Sequence, residues 1–484
     1  MKEPAIPKDL RSFLDEVLHQ RPGDLKVVDR EVDPRFGITA WPAAFERHNQ
    51  SPAFLFTNVK GADTSCVTNV AATFERVAIA LGTTPEELRS SPTLGPGHPA
   101  QAPVRVGDDE APVREIVWEG DDARLDRLPI PTHNAADGGP YLTAAVGIMR
   151  DPDSGALNAG IYRHQVFDAK TMGVWYFGSH HGGTIFHRYE EAGQDAPIAL
   201  AIGHHPAFLI GAVSRVPGIG GEFEVASTFL GEPVEIVGCP GSDLEVPARA
   251  EIVIEGRVLA GIRREEGPFA EWPGLYTAGG PKPVIEVDRI TMRHDAIFQD
   301  IHAAATEHRL IGALPRIASV YKNVSNVVSD LRGVNIPLHT RMHCYLSIRK
   351  RDDSEPIRAA FAALNTEPEN FRMVVVVDDD IDVHDERAVS WAIGTRFDAE
   401  RDLRVIPRWN GPGGLLPTNW IYDAEGGRSP HMSSAVIVDA TKPAPPVGYP
   451  EPAYVPDEAI DAIDEDDAKD VAGSLEPPRV RALP

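Results

Sequence analysis

The sequence predicts a chain of mixed α/β and β character, in three folding regions with a tail behind them. Three observations predict it. Helix and strand patterns alternate over the first 110 residues, short β-rich runs separated by turns fill about 110–310, and an α/β texture returns from about 314. These shifts divide the chain into 1–110, 111–313, 314–441 and a Pro-rich, acidic tail at 442–484.

In the first region KDLRSFLDEVLHQ (8–20) has apolar residues at helical spacing and is stopped by the Pro-Gly that follows Arg21. AFLFTNVKG (53–61) reads as a strand entering a loop. ATFERVAIALG (72–82) reads as a helix closed by glycine, and TTPEEL (83–88) as another with proline in its first turn. A Pro/Gly-rich loop covers about 91–103.

The middle region carries the runs PVREIVW, YLTAAVGIM, GIYRHQVF, GVWYF, PVEIVG and AEIVIEG, broken by turns such as DPDSG (151–155). Many short strands with turn signals predict a barrel or sandwich-like unit. Helices interrupt it near Thr184 and in HPAFLIGAV (205–213). In the third region LSIRK (346–350) and MVVVVDDDIDV (373–383) read as strands and EPIRAAFAALN (355–365) as a helix between them. The tail has too little apolar content to build a core.

Composition excludes several classes. The 484 residues carry 47 basic and 72 acidic side chains, a formal charge of -25, which a phosphate backbone would repel. Three scattered cysteines, Cys66, Cys239 and Cys344, support neither a disulfide framework nor a Cys-based zinc site. The N-terminus lacks the apolar core of a secretory signal, and no apolar run reaches the ~20 residues that span a bilayer. A cytoplasmic protein is the expectation. GxGxxG and Walker A patterns are absent.

Four segments carry chemistry. In EEGPFAEWPG (265–274) Glu266 and Glu271 flank a Gly-Pro that breaks any helix, so a shaped loop can turn both carboxylates toward one pocket. The same spacing fits a solvated acidic turn. NAGIYR (158–163) sets Asn158 five residues from Arg163; in an ideal strand they face opposite ways, so they serve one ligand only where the chain bends. In GSHHGGTIFHRYEE (178–191) His180 and His181 precede two glycines and a helix start, where backbone can approach an anion. His181 can ligate a metal and His180 can shape a pocket, or both can be packed histidines. GEFEVAS (221–227) offers Glu222 or Glu224 to a metal shared with Asn158 and His181, or exposed strand carboxylates. Oxygen ligands suit Mg²⁺ or Mn²⁺, and one imidazole favours Mn²⁺. His204 and His205 form a weaker pair, and DDDID (378–382) lacks EF-hand spacing.

Taken in order, NAGIYR, the His pair, GEFEVAS, the EGPFxE-type loop and the VVVVDDDID stretch resemble the UbiD-like family of prenylated-flavin-dependent decarboxylases over about residues 8–440. The resemblance implies an N-terminal α/β region, a central split β-barrel of the flavin-reductase type and a C-terminal α/β domain used in oligomerisation, as dimer or hexamer. It implies prenylated FMN, with Mn²⁺ bound by Asn158, His181 and Glu222 bridging to the flavin phosphate, and K⁺ nearby. The cofactor would be supplied by a separate flavin prenyltransferase. Ala159, Gly160, Ile161, Tyr162, Arg163 and His180 fall on the cofactor side. Arg163 takes the position that meets the substrate carboxylate, Glu266 the glutamate paired with it, and Glu271 the one that transfers the proton.

One departure stands out. The family often has a lysine just before the C-terminal VVVVDDD-like strand; here no lysine lies between Lys350 and Lys442, and Arg372 is the nearest upstream cation. Tyr321, Asn323, Asn326, His339, His343 and His431 are polar candidates for reading a substrate ring, and they tilt the expectation toward a hydroxylated or heteroaromatic acid. The rival readings are a flavin-reductase-like oxidoreductase using plain FMN and a non-catalytic subunit of a multi-subunit carboxylase.

Overall fold

The computed structural model describes residues 7–90, 94, 100–176, 180–214, 216–410, 416–425, 427–453, 455–456 and 458–459. The acidic end of the tail and most of the 91–99 loop lie outside the described residues. The chain divides into two compact units, one running to Ala318 and the other from Ser319.

The first unit opens with α1 (Leu10–Gln20), β1 (Leu25–Val28), α2 (Gly37–Glu46), β2 (Ala53–Phe56), β3 (Ser65–Thr68), α3 (Phe74–Leu81) and α4 (Pro85–Ser90). The helical spacing of α1 buries Leu10, Phe13, Leu14 and Val17, and Asp9 caps it by accepting from Ser12 N. Gly82 ends α3 in the left-handed region at φ 63°.

Next come β4 (Val104–Arg105), β5 (Ile116–Glu119), β6 (Tyr141–Leu142), β7 (Val146–Arg150), β8 (Leu157–Ile161), β9 (Arg163–Val166), β10 (Thr171–Trp175), α5 (His181–Glu191) and β11 (Ala196–Ile202). They are followed by α6 (Pro206–Ala212), α7 (Glu222–Leu230), β12 (Glu235–Gly238), β13 (Glu245–Pro247), β14 (Ile252–Glu266), β15 (Phe269–Ala270), β16 (Tyr276–Thr277), β17 (Gly280–Met292) and β18 (Ile297–Gln299). β18 returns to the N-terminal sheet, whose order is β1-β2-β3-β18.

The large sheet has nine strands in the order β6-β9-β10-β17-β14-β11-β7-β8, with β5 added on β17. β8 and β9 are consecutive in the chain, separated only by Tyr162, yet stand toward opposite ends of that order. The sheet therefore has to curl until its ends meet at this corner. Among the described residues no ladder joins β8 to β9, so the barrel is not closed. The core beneath is apolar, built from residues such as Leu142, Met149, Ile185, Ile198, Ile254 and Ile285.

GEFEVAS is not a strand: Gly221, at φ 105°, turns the chain into α7, and Glu222 at the helix start is buried. A glycine in the left-handed region lets the helix begin abruptly, and a period of two was the wrong template.

The second unit takes in the end of α8 (Thr306–Ser325), then β19 (Leu331–Asn335), β20 (His343–Ile348), α9 (Glu355–Thr366), β21 (Met373–Asp378), α10 (Glu386–Arg396), α11 (Ala399–Asp402), β22 (Leu403–Asn410), β23 (Trp420–Tyr422), β24 (Arg428–Pro430) and β25 (Ser433–Ala440). Its sheet runs β19-β20-β21-β25-β22, with β21 parallel to both neighbours and Val374–Val377 fully buried. The acids at the end of β21 form an ion network, with Arg396 bonding Asp378 at 2.9 Å and Asp380 at 2.8 Å, and Lys442 bonding Asp380 at 2.8 Å.

Candidate active site

Arg163 opens β9 immediately after the Tyr162 corner, and Glu266 closes β14. Gly267 then turns at φ 93°, where a side chain is disfavoured, and a cis bond leads into Pro268. The β15–β16 hairpin that follows carries Glu271 just past β15. Arg163 bonds Glu266 fork to fork, Nε to Oε1 at 2.9 Å and Nη2 to Oε2 at 2.7 Å. Its Nη1 donates to Glu271 Oε1 at 2.9 Å and to Thr277 Oγ1 at 2.8 Å. These four bonds use four of the five N–H groups of the guanidinium.

Neighbouring rings hold this set. Trp175 lies opposite Arg163 in the β9–β10 ladder, with its ring centroid 3.8 Å from the guanidinium carbon. The Tyr141 hydroxyl lies 3.1 Å from Glu266 Oε1 and 3.1 Å from Gln165 Oε1, and Gly267 N donates to Gln165 Oε1 at 2.7 Å. Burial and the Glu266 charge push the Tyr141 hydroxyl up, which keeps it a donor. Sequence reasoning missed Tyr141, Gln165, Trp175 and Thr277. Gln165 had one signal, since it shares a strand face with Arg163 two residues away.

The second cluster gathers on the other side of the corner. His181 Nδ1, at the start of α5, lies 3.2 Å from Asn158 Oδ1 of β8 and 3.6 Å from Glu222 Oε1 of α7. Neighbouring ligands of one octahedral ion bound at ~2.1 Å stand ~3 Å apart, so His181 lies near ligand spacing from both Asn158 and Glu222. Buried Glu222 Oε2 has no hydrogen-bond partner, which a cation would satisfy. Burial pushes the Glu222 carboxyl up, a direction that an adjacent cation reverses. Of the two glutamates, Glu222 stands 3.6 Å from His181 and is buried, while Glu224 is half-buried.

Tyr162 ties the two clusters. Its hydroxyl accepts from Gly182 N at 3.1 Å, and a Cβ at Gly160 or Gly182 would stand 2.6 or 2.7 Å from that oxygen. A side chain at either place would therefore have to displace the Tyr162 ring. The chain bends between β8 and β9, and this leaves Asn158 in one cluster and Arg163 in the other.

The remaining candidates separate. Ala159 and Gly160 are buried in β8, Ile161 ends that strand, and His180 is exposed with its ring 5.6 Å from that of Tyr162. Arg372, in the second unit, hydrogen-bonds Asn419 Oδ1. His204 and His205 are packed histidines that burial lowers to about 4 and about 3, and His205 caps α6 by accepting from Ala207 N. Of the polar ring-reading candidates, Asn323 bonds Thr366, Tyr321 bonds Leu331 O, and His339 pairs with Glu386.

Three consecutive stretches match the 3-octaprenyl-4-hydroxybenzoate carboxy-lyase family: its N-terminal domain at 18–90, its Rift-related domain at 104–305 and its C-terminal domain at 309–413. An anhydromevalonate phosphate decarboxylase from Methanothermobacter thermautotrophicus is 34% identical over 404 residues, covering 82% of this chain and 90% of that one. The chain belongs to the UbiD family. A phenolic acid decarboxylase from Sedimentibacter hydroxybenzoicus is 31% identical, covering 92% of this UbiD-family chain and 94% of its own. Among solved structures, an evolved dimeric form of the UbiD-class enzyme HmfF from Pelotomaculum thermopropionicum, in complex with prFMN, superimposes with a TM-score of 0.83 at 34% identity, over 96% of this chain and all of the other. The apo 3,4-dihydroxybenzoic acid decarboxylase AroY from Klebsiella pneumoniae gives a TM-score of 0.81 at 27% identity, over 94% and 99% of the two chains.

Proposed function

We propose that this chain is a prenylated-FMN-dependent carboxy-lyase. It removes CO₂ reversibly and without oxidation from an aromatic, heteroaromatic or α,β-unsaturated acid, and returns a proton to the vacated sp² carbon. The observation that carries this reading is Arg163 held between Glu266 and Glu271 in a UbiD-family chain. A flavin reductase has no use for a buried Glu–Arg–Glu set, and a non-catalytic subunit has no need of one.

When bound, prenylated FMN supplies the electrophilic centre that takes up the electrons of the breaking C–C bond. Arg163 binds the substrate carboxylate through its fifth N–H and its charge, and Glu266 fixes the plane of the guanidinium. Trp175 and Phe269 cover Arg163 and keep bulk water from the carboxylate. Glu271 gives its proton to the carbon that CO₂ leaves and is reprotonated from solvent, to which it is partly open.

Asn158, His181 and Glu222 would hold Mn²⁺, whose charge would favour an anionic group of the cofactor, and K⁺ is the second ion expected. His180 and the Ala159–Tyr162 backbone add cofactor contacts. The curled sheet acts as the split barrel of region 111–313, between an α/β region at 1–110 and an assembly domain at 314–441 followed by the 442–484 tail. The enzyme works in the cytoplasm as a homodimer or homohexamer and receives its cofactor from a flavin prenyltransferase. No helix among the described residues is long and apolar enough to cross a membrane.

The test is expression with a prenyl-flavin supply, mass analysis of the bound cofactor and a decarboxylation screen of aromatic and acrylic acids. Turnover with plain FMN and no CO₂ release would overturn the proposal.

A further inference from the structure

The hairpin that carries Glu271 is not part of the large sheet. Among the described residues β15 and β16 pair only with each other, so contacts outside the sheets help to fix where Glu271 points. Several come from the segment from His133 to Gly138. Asp137 Oδ1 accepts from Ala270 N at 2.9 Å, one residue before Glu271. Gly138 N donates to Pro268 O at 2.7 Å, and Ala136 N donates to the Tyr276 hydroxyl at 3.0 Å. Both arms of the hairpin are therefore gripped from one side.

The seat is itself rooted. Asp137 Oδ2 accepts from Asn134 N at 2.8 Å, which closes the segment on itself. His133 is buried with Nε2 2.7 Å from Asp300 Oδ1, and Thr39 Oγ1 donates to His133 O at 2.9 Å. A Cβ on Gly138 would stand 2.4 Å from the Gly267 carbonyl oxygen, a backbone atom with no room to yield. At the far end of the hairpin Arg309 Nε donates to Trp272 O at 3.0 Å.

We infer that Asp137 is a positioning residue for Glu271: by holding Ala270 N it sets the direction in which the glutamate meets Arg163 and the substrate. The inference rests on the proposed role of Glu271 as proton donor. The grip itself stands on geometry alone. A displacement of ~1 Å at a reacting group costs ~10²-fold in rate, so a lost seat should be visible in the proton step before anywhere else.

The experiment compares flavin-loaded wild type with Asp137→Ala, Asp137→Asn and Gly138→Ala. Amide hydrogen exchange of the 267–277 peptide is read first, because it needs no turnover. Faster exchange confined to that peptide, with flavin retained, is expected in Asp137→Ala and Gly138→Ala. In turnover, kcat falls ~10²-fold with KM within ~3-fold, and the solvent deuterium isotope effect on kcat rises as proton delivery becomes slow. Asp137→Asn keeps one acceptor oxygen and recovers part of both. Unchanged exchange in the peptide overturns the seat. Faster exchange with unchanged kcat and isotope effect, or a rise in KM alone, overturns the positioning role. If the wild type releases no CO₂ from any acid, the decarboxylase reading has failed, and the exchange result still decides whether Asp137 holds the hairpin.

Discussion

Arg163 and Glu266 meet through two nearly parallel hydrogen bonds of 2.9 and 2.7 Å, with 6% of the arginine side chain and none of the glutamate exposed. Removing one member leaves the other buried without its partner, which costs about 3–5 kcal/mol, whereas removing both costs far less. Arg163→Met should therefore destabilise the fold by that amount in denaturant unfolding, and Arg163→Met combined with Glu266→Gln should restore much of the loss. Additive losses would mean the pair is not coupled. Arg163→Lys keeps the charge without the fork and should lose most turnover while folding normally.

Glu271 differs from Glu266 in kind. It receives a single bond from Arg163 and its side chain is 13% exposed, so it can exchange a proton with solvent. Glu271→Gln should lower kcat by ~10²–10⁴-fold while flavin binding persists, measured by CO₂ release and cofactor absorbance. Retained turnover would remove it as the proton donor.

How much of this was legible in the sequence follows from where the signals were local. The amphipathic period of α1, the glycine end of α3 and the apolar run of β21 each state their element within a few residues, and each formed where expected. Arg163, Glu266 and Glu271 were visible through their motifs. Their meeting was implied by the resemblance and not by local spacing, because it depends on a strand corner at Tyr162 and on β14 bringing in Glu266 from 103 positions away. The start of α7 was misread because its signal is one glycine at positive φ, a backbone property that composition does not show. Tyr141 and Thr277 support the site through side-chain hydrogen bonds to residues distant in the chain, and no local pattern marks them.

The Asn158–His181–Glu222 cluster predicts a metal-dependent hold on the flavin. His181→Ala and Glu222→Gln should each reduce the divalent metal recovered per protein and the flavin retained on gel filtration, and dialysis against a chelator should do the same to wild type. Loss of a ligand or of its orienting partner typically weakens a metal site by ~10–100-fold. Full flavin retention in metal-free protein would disconnect this cluster from the cofactor.

The final prediction concerns stability against pH, where two kinds of buried group act in opposite directions. Burial raises the Glu307 carboxyl from an ordinary 4.5 to about 8, although Ala71 N donates to it at 2.6 Å. The folded chain thus keeps a proton that the unfolded chain sheds above 4.5, so the stability present below that value is lost as pH rises through about 8. Burial lowers His164 to about 3 and His302 to about 4, as it does His204 and His205. Those rings stay neutral in the fold while the unfolded chain takes up protons below 6.5, so stability also falls as pH drops from 6.5 toward 3. Each group contributes at most ~1.4 kcal/mol per pH unit. Chemical unfolding at pH values spanning roughly 5 to 8.5 should show losses on both sides of an optimum near the ordinary histidine value. Glu307→Gln cannot titrate and keeps an acceptor for Ala71 N, so it should flatten the alkaline side and leave the acid side as it was. A variant curve parallel to wild type on the alkaline side would show that Glu307 is not the group responsible.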